Sequence, residues 1–315
     1  MLRLFQTVLI ATLLFASLGL AQTDQGAAAT PPAQQQAQLT VGPTAFVGIQ
    51  GRSTSLGVIS SLDVNLGYQF TPHVSADIGL PIFYVRSPYA LVTTHDWETN
   101  TLLGDPYLDA RYTRTFSGVD FMSVVTLAVP AKTPARVFTT GRFGVDWFNH
   151  LSSAKPLKGI TPFINFGAAS KTVDRYIMPR PYSLSRPYES QGFMGDVEGG
   201  LSYRIRRFYN VGASVYAMLP GGHQKVFSKI ITPGSSVVGD GNYNRVWDKA
   251  FETIGSSDIA RDNGYSAWVE VTRFKNVNMQ FGVTHSVRYR FDSATIAFTF
   301  DATTGLRELT GTTGR

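Results

Sequence analysis

Cysteine is absent from all 315 residues. That excludes a thiol nucleophile, a thiolate-bound metal and a lipidated N-terminal cysteine, and it suits passage through an oxidising compartment. Charge is scarce too. Lys, Arg, Asp and Glu make up 16% of the chain, well under the roughly 25% of an ordinary soluble domain. The net charge of +6 is dispersed, with no Lys/Arg cluster interleaved with stacking aromatics, so the sequence offers no nucleic-acid surface. The five histidines are scattered and none stands at metal-ligand spacing from another, which leaves no metal or cofactor to expect. Beyond the N-terminus no apolar run reaches the roughly 20 residues of a membrane-crossing helix.

Glycine and aromatics are abundant instead: 30 glycines, and 12% Phe, Trp and Tyr. They fall into a pattern that is clearest over 193–219. Phe193, Val197, Leu201, Tyr203 and Ile205 share one parity, while Asp196, Glu198, Gly200, Ser202 and Arg204 share the other. After a short polar break the alternation resumes, with Val211, Ala213, Val215, Ala217 and Leu219 set against Gly212, Ser214, Tyr216 and Met218. Successive strand side chains point to opposite faces, so each run has one apolar face and one polar or small face. Soluble strands average about 5–6 residues, whereas a tilted membrane-crossing strand needs about 9–11.

The N-terminus reads as an export signal. Arg3 precedes the apolar run 4–16, and Gly19 and Ala21 supply small residues for cleavage after Ala21. Residues 22–38 are rich in Ala, Gln and Pro, too poor in apolar side chains to pack, and read as a disordered periplasmic lead. Residues 39–300 then hold twelve candidate strands, roughly 39–50, 57–70, 74–85, 103–115, 119–129, 139–149, 159–169, 192–206, 208–219, 264–274, 277–286 and 293–300. Residues 301–315 follow as a tail. Connections at one end are short: Thr71-Pro72-His73, Phe116-Ser117-Gly118, the region of Arg207, and Lys275-Asn276. At the other end they span 86–102, 130–138, 170–191 and 220–263. Only 149–158 is longer than the short-turn end favours. Tyr68, Phe70, Tyr112, Trp147, Tyr203, Phe298 and Phe300 are expected near the short-turn rim, as a girdle at headgroup level.

The predicted fold is therefore all-β: one antiparallel transmembrane barrel of about twelve strands, with 10 or 14 also compatible with the pattern. Short turns face the periplasm and long loops the exterior. Lipid leaves no partner for unpaired backbone groups, so strands can cross only as a closed barrel. Charged groups must then face inward. Asp63, Asp77, Asp109, Arg111, Arg142, Asp146, Glu198, Arg204 and Glu270 are the lumen-lining candidates. Asp109, Arg111, Arg142, Glu198 and Arg204 could brace the wall as cross-strand ion pairs, line a narrow polar passage, or do both. In the 170–191 loop, Arg175, Arg180, Tyr182, Arg186 and Tyr188 form a basic, aromatic group in which Arg-Pro-Tyr occurs twice. Arginine forks suit phosphate, of lipopolysaccharide or of an anionic solute; decoration of a solvated loop is the plainer account.

Two stretches carry a resemblance: NLGYQFTPHVSADIGLP at Asn65 to Pro81 and GDPYLDARYTR at Gly104 to Arg114. With them the chain resembles the outer-membrane barrels named for a component of a phenol-degradation pathway, and related transporter-like barrels. The resemblance implies a pore for small molecules, hydrophobic or aromatic ones among them, and brings no catalytic residues. Such barrels commonly end on the aromatic of the last strand, whereas this chain continues past Phe300.

The expected function is a non-enzymatic channel in the bacterial outer membrane for passive passage of small solutes. Its expected partners are outer-membrane lipid and lipopolysaccharide, the solute, and the outer-membrane assembly machinery; no outward strand marks a subunit contact. The alternatives are a filled structural or adhesive barrel that binds lipopolysaccharide or a partner through its loops, an outer-membrane lipid hydrolase, and a soluble secreted β-protein. The hydrolase would draw on His150 and Ser152, which share a face but fall at an expected turn. His285 and Ser286 point to opposite faces.

Overall fold

The structure is a computed structural model that describes residues 41–54, 57–86, 99–131, 143–171, 188–228, 252–255, 261–274, 276–288 and 290–309. The expected signal and lead segments, Arg142, and the loop residues Arg175, Arg180, Tyr182 and Arg186 lie outside them.

Alternation of apolar and polar side chains builds twelve antiparallel spans that close on themselves. They are β1 (Gly42–Thr54), β2 (Gly57–Gln69), β3 (Val74–Arg86), β5 (Tyr107–Phe116), β6 (Val119–Ala128), β7 (Gly144–Ser153), β8 (Ile160–Lys171), β9 (Tyr188–Ile205), β10 (Tyr209–Ser228), β12 (Asp262–Phe274), β13 (Val277–Ser286) and β14 (Phe291–Asp301). Two short strands extend the ladder: β4 (Thr99–Leu103) on β3 and β11 (Glu252–Gly255) on β10. Each span pairs with its neighbours in chain order, and β1 meets β14 from Phe46↔Asp301 to Thr54↔Ser293. Closure removes the sheet edge, which lipid could not satisfy.

The faces are inverted relative to a soluble core. Ile78 is 62% exposed and Val215 is 66% exposed, while Asp63, Asn165 and Glu198 are buried. Two outward polar groups on β7 are hydrogen-bonded to their neighbours. Trp147 donates its indole N–H to Ser123 Oγ at 3.0 Å, and Asn149 donates to the Phe166 carbonyl at 3.4 Å. Tyr68, Phe70, Phe116 and Tyr203 are exposed toward the short-turn end, and Tyr84, Phe143, Phe193 and Tyr265 toward the other. The apolar band is thus rimmed at both ends.

Three expectations need correction. The seventh strand was expected at 139–149, but β7 occupies Gly144–Ser153. His150 and Ser152 therefore lie within a span and not at a turn. Trp147, paired with Val125 and Ala168, stands well away from the short-turn rim. The connection that had looked too long is 154–159, tightened by a Leu157↔Ile160 bridge across Lys158 and Gly159, both at positive φ. Ser117 and Gly118, with φ of 46° and 88°, make the matching two-residue turn between β5 and β6. The loops expected at 170–191 and 220–263 are shorter, because β9 and β10 run on as an 18- and 20-residue hairpin past the membrane-crossing length. Its ladder slips between Gly221 and Lys225. Above that bulge no lipid demands alternation, so the sequence pattern fades while the backbone pairing continues.

The tail forms a helix, α1 (Thr303–Leu309). β14 stops opposite Phe46, so the first residues of β1 have a strand on one side only. α1 covers the other side. Ala302 N–H donates to the Ala45 carbonyl at 2.9 Å, Ala45 N–H to Thr303 Oγ1 at 3.2 Å, and Arg307 Nε to the Pro43 carbonyl at 3.0 Å.

Candidate functional site

The inward face of the barrel is where the chemistry lies, because period-two strands send every second side chain there. All the lumen-lining candidates within the described residues lie on the inward parity of their strands: Asp63, Asp77, Asp109, Arg111, Asp146, Glu198, Arg204 and Glu270.

Their partners include hydroxyls and amides. Glu198, 1% exposed, accepts from Asn165 Nδ2 at 2.8 Å and Ser214 Oγ at 2.6 Å. The Asn165 oxygen sits 2.7 Å from His150 Nδ1. With the amide nitrogen committed to Glu198, His150 Nδ1 must carry the proton and donate. Asp109 accepts from Thr126 Oγ1. Tyr107 Oη lies 2.6 Å from Asp63 Oδ2 and 2.8 Å from Asn65 Oδ1. One hydroxyl proton cannot serve two acceptors, so Tyr107 donates to the carboxylate and the Asn65 amide is turned to offer its N–H. Glu270 accepts from Asn278 Nδ2 at 2.6 Å and Asn210 Nδ2 at 3.2 Å. At Asp109 and Glu198, two of the residues expected to brace the wall, these neutral donors satisfy part of each carboxylate without a second desolvated charge. Arg111 faces Asp77, at 3.9 Å.

Sequence reasoning missed several inward groups. Asp262 is fully buried and accepts from Ser286 Oγ at 2.6 Å and Tyr216 Oη at 3.2 Å. It begins β12, two residues before the alternation became legible. Arg52 is buried on β1, beyond the end expected for that strand. Asp262 adds to the acids on the polar parity already read from the sequence, Asp196 among them. Among side chains described within the spans, Asp63, Asp77, Asp109, Asp120, Asp146, Asp196, Glu198, Asp262, Glu270 and Asp301 outnumber Arg52, Arg111 and Arg204 on the inward parity. The whole chain carries +6, so the described inward side chains and the molecule as a whole have opposite charge bias.

Aromatic side chains share this wall, and glycine makes room for them. Tyr107 lies across Gly79, Tyr216 across Gly264 and Trp268 across Gly212, each pair being register partners. An added Cβ on Gly79 would sit 2.2 Å from Tyr107 Cζ. The rings therefore lie along the wall and do not project from it. Met122, Val124 and Phe148 form a small apolar patch on the same face.

His150 and Ser152, the hydrolase candidates, both lie on this inward parity. Tyr188, expected in a loop, is the first residue of β9. Among the described residues no group of His, Cys, Asp and Glu is arranged to hold a metal ion.

No family model matches the chain, and no curated protein sequence is significantly similar to it. Solved structures are similar in shape. An outer membrane channel from Pseudomonas putida F1 aligns with a TM-score of 0.50 at 11% identity, covering 89% of this chain and all of that one. The KdgM porin, solved in complex with disordered oligogalacturonate, gives 0.44 at 6% identity over 81% of this chain and 98% of its own. The NanC porin gives 0.44 at 10% identity with the same coverage. This chain shares with the Pseudomonas putida channel the fold of a bacterial outer-membrane β-barrel.

Proposed function

We propose that the protein is a passive outer-membrane channel for small solutes with a preference for cations. The acid-rich inward wall carries this reading. Carboxylates held in a low-dielectric wall concentrate counter-ions and repel anions, and rings of Asp and Glu select for cations in other pores. Export through a leader cleaved after Ala21, insertion by the assembly machinery, and passage of hydrophobic or aromatic solutes belong to the same reading, as do contacts of the arginine-rich loop with lipopolysaccharide phosphates.

Reconstitution in planar bilayers under a KCl gradient tests it. Stepwise conductance with a reversal potential on the potassium side is the expected result; a chloride-side potential refutes the charge argument. A second reading, a filled barrel with a structural or adhesive role, draws support from the near-complete burial of Glu198 and Asp262. It requires correctly folded barrels that pass no current.

A further inference from the structure

Phe163 on β8 and Trp268 on β12 stand three ladder steps apart, with β9 and β10 between them. Their rings nevertheless meet edge to face, with centroids 5.6 Å apart at 66°. Glycine allows it. The intervening inward positions include Gly200 and Gly212: an added Cβ on Gly200 would lie 2.6 Å from Phe163 Cζ, and one on Gly212 2.2 Å from Trp268 Cζ2. At Gly212 the three nearest atoms are all indole atoms, at 2.2, 2.5 and 2.7 Å. The indole thus lies over the wall where a side chain would otherwise project. On the other flank His150 stacks on Phe163, with centroids 6.0 Å apart at 27°.

The three rings form an aromatic strip across five inward strand faces, from β7 to β12. Trp268 is buried, while Phe163 and His150 keep part of their surface exposed. Carboxylates flank the strip in register: Glu198 stands two residues before Gly200 on β9, and Glu270 two residues after Trp268 on β12. Glu198 is held by Asn165, the same side chain that accepts from His150. Arg204, also inward on β9, is an opposing cation among the described residues of this region. Ring faces beside anionic oxygens are the chemistry that recognises a cation with an apolar body.

Resting on the channel reading, we propose that the part-exposed Phe163 and Glu270, with the buried Trp268 and Glu198 behind them as positioning ring and fixed charge, form a selectivity surface for organic cations, with Gly212 as the seat that keeps the indole against the wall. Benzyltrimethylammonium is the probe and benzenesulfonate the anionic control of similar size. In bilayers the cation should block potassium current at concentrations where the sulfonate does nothing. Trp268→Ala should weaken block at least tenfold and raise open conductance. Gly212→Ala should lower conductance by pushing the indole off its seat, whereas the outward Trp147→Ala should change neither.

Equal block by the sulfonate, or conductance changes of the same direction in Gly212→Ala and Trp268→Ala, overturns the inference. Quenching of tryptophan fluorescence by the cation, read as the difference between wild type and Trp268→Phe in detergent, reports binding without conduction. Quenching without current supports the surface and refutes the channel; neither quenching nor current refutes both.

Discussion

Val215→Arg tests the inside-out arrangement directly. Val215 is 66% exposed on the outward face of β10, between Gly199 on β9 and Tyr265 on β12. It lies six residues beyond Tyr209, where the strand leaves the short-turn end. At about 3.3 Å per residue and a tilt of about 40°, that is roughly 15 Å along the barrel axis, near the middle of an apolar band about 25 Å tall. An arginine there should cost about 2–4 kcal/mol. Ile205→Arg provides the comparison, since Ile205 is also outward but ends β9 at the short turn. There the cost should fall to about 0–1 kcal/mol. Guanidinium titration of the barrel refolded in lipid vesicles, followed by tryptophan fluorescence, gives both values, provided the denaturant slopes agree. Equal costs at the two depths would refute the argument, because only an apolar medium of finite thickness makes the penalty depend on depth.

Further outcomes follow from particular contacts. Tyr107→Phe removes the hydroxyl that Asp63 accepts and should destabilise the barrel by about 1–3 kcal/mol in the same titration, as expected for losing a buried hydrogen bond to a charged group. Gly264→Ala would place a Cβ 2.0 Å from the His285 carbonyl oxygen. Backbone on the partner strand cannot step aside, so heat-dependent gel mobility should show a reduced folded fraction, and a normal yield would contradict the register. Truncation after Asp301 removes the helix that covers the start of β1. Hydrogen exchange at Ala45 should then lose protection, while Ile49, still paired with Phe298 and Leu62, keeps it.

The alternation itself was legible without coordinates, because a strand's side-chain period of two and the opposed demands of lipid and lumen act residue by residue. Twelve spans, the short-turn end and the inward placement of residues such as Asp109, Glu198 and Glu270 all follow from that local rule. Strand ends did not. The alternation weakens where a strand leaves the bilayer, so β7 was displaced toward the N-terminus, the β9–β10 hairpin was cut short and Asp262 was overlooked. Partners were also invisible. Tyr107 meets Asp63 across 44 positions, and Phe163 reaches Trp268 over two intervening strands. Those meetings depend on register and on how a tilted sheet closes, which are set by all the pairings together. Glycine shows the division most clearly. Its inward positions mark a wall in the sequence, but only closure of the barrel reveals which ring each one leaves room for.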